Sequence, residues 1–214
     1  MFEKQSTAQA PARPAAVLQR RGVERVQAIL NAAEELLGEQ GYEAATLKAI
    51  GERAGIPTAS VYHYFADRHQ VDAKLLERHL SALDERVNAA LDDPSLRTLR
   101  TLRDGVDAII DPMLVYFRKH PSCTELWFAG RHEKLTELVH AFDYAKADQL
   151  WHLLIDRNLV VADTPRLVLQ LAFEAGGQLF DVAFRNSPTG DDTVVDEARR
   201  LVTAYLKTYA TPAP

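Results

Sequence analysis

Residues 46–65 have the sequence TLKAIGERAGIPTASVYHYF, and this stretch decides how the N-terminal part of the chain folds. A helix cap opens it, and apolar residues then recur at the three- and four-residue spacing that places side chains on one helix face. The cap and the apolar positions are Thr46, Leu47, Ile50 and Ala54. The pattern predicts a short helix that ends at Gly55, which can adopt the left-handed conformation typical of helix ends.

A second short helix follows the turn. Pro57 and Thr58 signal its start, and it is predicted to extend to about Phe65. At roughly 100° per residue, Val61 and Phe65 share its buried face, and His63 points away from the core. The outward side carries Ala59, Ser60, Tyr62 and His63. Two short helices joined by a tight turn are typical of a helix-turn-helix that enters a DNA major groove.

The segment from about Arg20 to Leu80 resembles the DNA-binding domain of the TetR family of bacterial transcriptional regulators. The matching motifs are VERVQAILNAAEELLGEQGYEAAT, LKAIGERAGI, and VYHYF followed by ADRHQVDAKLLERHL. The resemblance implies an all-α homodimer that binds a palindromic operator through its small domain and senses a small molecule through its larger one. Residues 57–59 (PTA) depart from the common Ser, basic residue and Gly, and Arg68 stands where many members have Lys.

The candidate DNA-binding residues lie on the two short helices and directly after them. Serine can bond a base edge or a phosphate, alanine suits a thymine methyl, and tyrosine and histidine can donate to phosphate oxygens. Arg68 is expected to bind phosphate through its planar guanidinium. The full set is Thr46, Lys48, Thr58, Ala59, Ser60, Tyr62, His63, Tyr64 and Arg68.

Composition and charge are compatible with this interpretation. The chain has 214 residues, of which 47% are hydrophobic, and its net charge is −5. Residues 1–80 contain ten Lys or Arg and ten Asp or Glu, whereas residues 81–214 contain fifteen and twenty. A local basic patch, rather than net charge, is therefore expected to bind phosphates. The single Cys123 leaves no intramolecular disulfide, and no signal-type run or 18-residue apolar span is evident, so a cytoplasmic protein is expected.

Helix and break signals divide the chain into three predicted regions. Residues 1–19 are expected to form a flexible arm, or alternatively one whose Arg13 reaches a minor groove. Residues 20–80 form the helix-turn-helix domain, and residues 81–214 form a helical effector-binding and dimerisation domain. The other helices are predicted at about 21–40, 67–91, 96–110, 112–119, 122–129, 132–157, 165–186 and 191–209. The predicted fold class is therefore all-α.

The effector site is predicted from aromatic residues in the C-terminal part, which can line an apolar cavity beside a polar anchor. The alternative is that these aromatics only form the core. The candidates are Tyr116, Phe117, Trp127, Phe128, Phe142, Tyr144, Trp151 and Phe173, with His152 or Glu174 as the anchor.

The last two helices are the predicted dimer surface, and the alternative is that they complete the core of one subunit. Their apolar stripes are Leu167, Leu171, Ala175 and Leu179 on the first helix, and Val194, Ala198, Leu201, Val202 and Tyr205 on the second. Two such helices from each subunit would form a four-helix bundle, which the resemblance implies.

Other function classes have less support in the sequence. No metal site is predicted, because His120, Cys123, His132 and His140 are irregularly spaced across predicted breaks. Cys123 has no accompanying base or second cysteine for nucleophilic or redox chemistry. No catalytic constellation or cofactor motif is evident. The predicted function is a ligand-responsive regulator that acts as a repressor, and the alternative is a helical protein-interaction module without its own sequence-specific DNA binding.

Overall fold

The computed structural model describes residues 15–92, 100–128, 132–185 and 187–212. Within these ranges the chain forms nine α-helices and no β-strand, which confirms the all-α prediction. The helices are α1 Ala15–Gln40, α2 Leu47–Ala54, α3 Thr58–Tyr64, α4 Arg68–Leu91, α5 Leu102–Lys119, α6 Pro121–Trp127, α7 Glu133–Asp156, α8 Arg166–Arg185 and α9 Asp192–Lys207. Residues 1–14 of the predicted arm, Arg13 included, lie outside the described residues, and residues 15–19 belong to α1.

The helix-turn-helix forms as its local signals predict. The Thr46 hydroxyl accepts a hydrogen bond from the Ala49 amide and caps α2. Gly55 ends α2 with φ of 65°, in the left-handed region. After α3, the Asp67 carboxylate accepts from the Gln70 amide and caps α4. Both caps satisfy backbone donors that would otherwise lack a partner.

Two hydrophobic clusters share the long helix α4. Leu75 and Leu76 belong to the N-terminal cluster, whereas Leu83 and Val87 belong to the C-terminal one. Leu80 packs against both clusters. The domain boundary predicted after residue 80 therefore falls inside the continuous helix α4. A displacement of α4 would change the packing of both hydrophobic clusters.

The break predicted at Asp111 and Pro112 is wrong. Pro112 lies inside α5, which continues without interruption from Leu102 to Lys119. Proline lacks one backbone donor and crowds the preceding turn, which costs about 3 kcal/mol in a helix interior. Burial of the apolar face of α5 offsets this cost, since Ile109, Ile110, Leu114 and Phe117 all lie in the core.

Helices α8 and α9 pack against each other and leave apolar side chains on the outside. The most exposed are Leu167 (57%), Leu171 (49%), Val182 (43%) and Leu201 (46%). In contrast, Ala198 and Val202 of the predicted stripe on α9 point into the subunit core. Among the described helices α8 is long and apolar enough to cross a membrane, by length and composition only, whereas no such span was expected from the sequence; it packs on α7 and α9.

Candidate DNA-binding surface and effector cavity

Helix α3 presents one face to the core and the opposite face outward. Val61 is completely buried and Phe65 is 6% exposed, whereas Tyr62 is 55% exposed. Ala59 and His63 are also exposed, and Thr58, Ser60 and Tyr64 are half-buried beside them. The orientation predicted from helix periodicity is confirmed. The side chains that a DNA groove would contact are therefore small, aromatic or polar, and none of them is lysine or arginine.

The start of α2 adds two of the candidates to the same part of the molecule. Thr46 caps α2 and Lys48 lies on its exposed side. The ammonium of Lys48 is 3.9 Å from Glu52, a distance typical of a weak surface pair that a phosphate can replace. Arg53 is different, because its guanidinium donates to Glu35 and Glu39 of α1 and is neutralised there.

Arg68 is committed to the protein interior. Its Nε donates to Asp72 Oδ1 at 2.6 Å, and its guanidinium also donates to the backbone carbonyls of Tyr42 and Ala45. The guanidinium lies 4.3 Å from the centre of the Tyr42 ring. The side chain is only 17% exposed, so the structure does not support the predicted phosphate contact. These contacts of Arg68 instead hold the start of α4 against the loop between α1 and α2.

An aromatic cavity of about 570 Å³, including its mouth, lies among α5 to α9. Four of the predicted effector residues line it: Phe117, Trp127, Phe128 and Phe173. Phe117 is fully buried and contacts Trp127 and Phe128 edge to face, with ring centres 5.1 and 5.7 Å apart. Its lining is apolar apart from Asp143, which suits a small, largely apolar ligand.

A polar space of about 730 Å³ adjoins the cavity between α7 and α8. Its polar side chains are Thr136, His140, Asp143, Glu174, Gln178 and Asp181. Asp143 lines both spaces, and burial together with the Glu174 carboxylate raises its pKa to about 8. The sequence prediction missed Asp143. The available signal was an acidic residue on the α7 stripe that buries Phe142, Ala147 and Leu150.

Of the other six candidates, Glu174 lines the adjoining polar space, and the remaining five do not line the cavity; one of these is Phe142, whose ring centre is 5.5 Å from that of Trp127. Tyr116 is buried, and its hydroxyl is 2.9 Å from Nδ1 of His79. Trp151 donates through its indole nitrogen to a backbone carbonyl before α8. Tyr144 and His152 are exposed on α7. The side chains of α7 diverge around the helix, so only its face toward α8 reaches the cavity.

Two segments of the chain match known domains. Residues 29–71 match the family described as bacterial regulatory proteins, tetR family, and residues 101–206 match the tetracyclin repressor-like C-terminal domain. A TetR-family transcriptional regulator of solved structure from Streptomyces coelicolor is 30% identical to the chain. The similarity covers 86% of this chain and 99% of that one, with a TM-score of 0.61. The chain belongs to the TetR family.

Three further proteins are similar to this TetR-family chain. The transcriptional activator FasR from Mycolicibacterium smegmatis is 33% identical over 88 residues, which are 41% of this chain, and the chain spans 40% of that relative's length. The fatty acid degradation regulator FadR from Bacillus halodurans is 15% identical, with a TM-score of 0.64 and coverage of 84% and 94%. SmeT, the repressor of a Stenotrophomonas maltophilia multidrug efflux pump, is 18% identical, with a TM-score of 0.62 and coverage of 88% and 96%. The latter two show the TetR fold alone.

The junction between the two parts of this TetR-family chain contains two groups of potential metal ligands. One is Glu34, His79 and His120, the other His69, Asp72 and His132, and the ligand atoms of each group lie within 4.8 Å of one another. In the first group both ring nitrogens of His79 have partners, since Nδ1 is 2.9 Å from the Tyr116 hydroxyl and Nε2 is 3.1 Å from the Ser122 hydroxyl. Hydrogen bonding thus accounts for its buried imidazole.

His120, Cys123, His132 and His140, which the sequence excluded as a zinc site, do not form one group among the residues that the structure describes. His120 and His132 belong to separate groups. Cys123 is fully buried, and burial followed by the charge of Glu34 raises the pKa of its thiol. A buried neutral thiol is a poor nucleophile and a poor redox sensor.

Proposed function

We propose that the protein is a ligand-responsive transcriptional regulator that binds a palindromic operator as a homodimer and releases it when a small apolar or amphipathic effector fills the cavity. One observation carries this proposal: an outward-facing recognition helix and an aromatic cavity are linked through the continuous helix α4, which packs on the cavity-lining helices α5 and α7. Membership of the family indicates the class of function. In this proposal the cavity binds the effector and the recognition helix binds the operator.

On the DNA side, the proposed base-reading residues are Ala59, Tyr62 and His63 at the centre of the exposed face of α3. Thr58, Ser60 and Tyr64 flank them, and Thr46 and Lys48 are proposed to contact phosphate. Because this face has no Arg or Asn for a bidentate base contact, specificity has to come from several weaker contacts and from DNA shape. Few phosphate contacts also imply a shallow dependence of affinity on salt.

On the effector side, α4 is the proposed connection. Leu83 and Val87 pack in the cluster that surrounds the cavity, and Leu75 and Leu76 pack under the helix-turn-helix. A ligand that shifts α5 or α7, and with them the C-terminal half of α4 that packs on both, therefore changes the separation of the two α3 helices in a dimer. Consecutive major grooves are about 34 Å apart, so a change in this separation weakens operator binding. This sequence of events favours repression, relieved by the effector.

The test is selection of binding sites from a random DNA library by the purified protein. We expect enrichment of a palindrome, and we expect His63→Ala to lower affinity for it by about tenfold or more, as for loss of a groove contact. His152→Ala is the matched control, since His152 is an exposed histidine far from α3 in sequence. Absence of any enriched site at low salt would contradict the proposal and favour the protein-interaction alternative.

A further inference from the structure

We propose that the effector is an amphipathic cation, whose apolar body occupies the aromatic cavity and whose positive head lies between α7 and α8 against Asp143 and Glu174. This inference rests on the proposed function, because it names the chemical class of the effector. It rests on the shape of the two connected spaces and on the charges that face them.

The first step is that the aromatic cavity and the polar space adjoin each other. Both are lined by Trp127, Phe128, Asp143, Phe173 and Gly177. We infer that one ligand can place its apolar body in the first space and its head in the second, past these shared side chains. Aromatic rings at the point of connection suit a cationic head, because the faces of tryptophan and phenylalanine attract positive charge.

The second step is that acidic side chains line the polar space without any Lys or Arg among its lining residues. Asp143, Glu174 and Asp181 all face it, and Asp181 is paired with Arg185. In the part of the chain that the structure describes, no Lys or Arg forms an ion pair with Asp143 or Glu174. The nearest lysine along α7, Lys146, is directed to Asp84 of α4.

The remaining elements around Asp143 do not change this balance. His140, one turn earlier on α7, also faces the polar space. Helix α6 contributes Trp127, Phe128 follows directly after it, and α5 and α9 contribute only apolar lining residues. An anionic head would be repelled by the Glu174 carboxylate, and an uncharged head would leave that carboxylate without a compensating positive charge.

The third step concerns a proton. Burial, and then the charge of Glu174, raises the pKa of Asp143 to about 8, so at pH 7 the empty site holds this carboxyl mainly in its neutral form. A cationic head stabilises the carboxylate form and thereby expels the proton to the buffer. Binding of the cation at pH 7 should release about one proton, and the release should disappear well above pH 8.

The experiment is calorimetric titration of the full-length protein without DNA. The probes share one alkyl chain and differ in head charge: decyltrimethylammonium, decyldimethylamine oxide and decanoate, each below its micelle-forming concentration. We expect the cation to bind about tenfold or more tightly than the other two, as for a desolvated cation–π contact next to a carboxylate. Its binding heat at pH 7 should vary with the ionisation enthalpy of the buffer. Equal or tighter binding of decanoate or of the amine oxide would overturn the inference, and so would a heat independent of the buffer.

A pair of variants assigns the effect to the site. Asp143→Asn should lower affinity for the cation about tenfold and abolish proton release, while binding of the amine oxide shows that the cavity remains folded. Asp148→Asn is the control, because Asp148 lies on the same helix but pairs with Arg166 outside the cavity. An Asp143→Asn protein that binds all three probes as the parent does would contradict the inference.

The outcome is separable from that of the proposed function. Cation binding that fails to release operator DNA would contradict the regulatory proposal and leave the binding site established. Operator release by anionic or neutral compounds but not by cations would contradict the inference about the cation and leave the regulatory proposal supported.

Discussion

At the scale of single residues, burial places two titratable side chains in their neutral forms. It raises the pKa of Asp143 to about 8 and lowers that of His79 to about 3, because desolvation penalises the charged form of each. Nearby charges act in the same direction, from Glu174 on Asp143 and from His120 and Arg78 on His79. The consequences for stability have opposite dependence on pH, since one group is an acid and the other a base.

Asp143 should make the protein less stable as pH rises. Between about pH 4 and pH 8 the folded state keeps a proton that the unfolded chain loses, so the free energy of unfolding falls by up to about 1.4 kcal/mol per pH unit and then levels off. Asp143→Asn removes this dependence. We expect the melting temperature of the variant to exceed that of the parent by several degrees at pH 8, and the difference to shrink towards pH 5. Thermal melts over this range are the measurement, and a difference that does not vary with pH would contradict the assignment.

His79 should have the reverse effect, on the acidic side. Below about pH 6.5 the unfolded chain binds a proton at this residue that the folded state does not, so the free energy of unfolding decreases as pH falls towards 3. Because Gln does not titrate, His79→Gln should lose less stability than the parent between pH 7 and pH 5, even if it is less stable at pH 7. Urea unfolding at the two pH values measures this, with the exposed His152→Gln as control. Parallel losses in parent and variant would be inconsistent with a neutral buried imidazole.

At the scale of secondary-structure elements, the turn between α2 and α3 depends on a close approach at Gly51. A Cβ atom on this residue would lie 2.8 Å from the backbone oxygen of Ile56 and 3.1 Å from a methyl group of Val61. The Ile56 amide donates to the Gly51 carbonyl at 2.8 Å, so a hydrogen bond holds the backbones of these two residues close together. The backbone at Ile56 cannot move away from an added Cβ atom at residue 51 without losing that hydrogen bond.

Gly51→Ala should therefore disturb the helix-turn-helix. We expect a loss of about 1–3 kcal/mol of stability, as for overpacking in a core, together with weaker operator binding because α3 is displaced. Gly22→Ala is the matched control, since no atom lies within 4 Å of the added Cβ in α1, and it should stabilise the helix slightly. Thermal melts and operator titrations of both variants are the measurements. A Gly51→Ala protein with the stability and affinity of the parent would show that the turn tolerates the shift.

The elements also show what a sequence alone can predict. The bounds of α2 and α3 and the outward face of α3 follow from local signals, namely a Thr cap, an αL glycine and the apolar spacing. The break expected at Pro112 was wrong because its local cost competes with burial of a whole helix face, which depends on tertiary contacts.

The same limit applies to the site residues. The role of Arg68 depends on carbonyl groups some 25 positions earlier in the chain, which spacing does not reveal, as well as on Asp72 four residues later on the same helix. In contrast, Phe117, Trp127, Phe128 and Phe173 were placed near a cavity because clustered aromatics suit either a core or a pocket, and here they form both. Asp143 could have been recognised as an acidic residue within a stripe of buried apolar residues on α7.

At the scale of the whole molecule, α8 and α9 leave an apolar surface that one subunit does not cover. Leu167, Leu171 and Val182 lie on one exposed face of α8, and Leu201 is exposed on α9. Side chains of this type concentrated on two packed helices are typical of an interface, and the TetR family usually assembles as dimers. A second subunit packed here would also hold two copies of α3 at a fixed separation, which reading a palindrome requires.

Leu171→Glu should separate the subunits. A carboxylate at a residue that is 49% exposed in one subunit costs little there, but in a four-helix interface it would be buried without a partner. We expect a stable monomer in sedimentation experiments and a loss of operator affinity of about a hundredfold or more, because the two half-sites no longer bind as one unit. Val23→Glu is the control for oligomeric state, since Val23 is 58% exposed on α1. A dimeric Leu171→Glu protein would place the interface elsewhere, whereas a monomer that keeps full operator affinity would show that one helix-turn-helix is sufficient to recognise DNA.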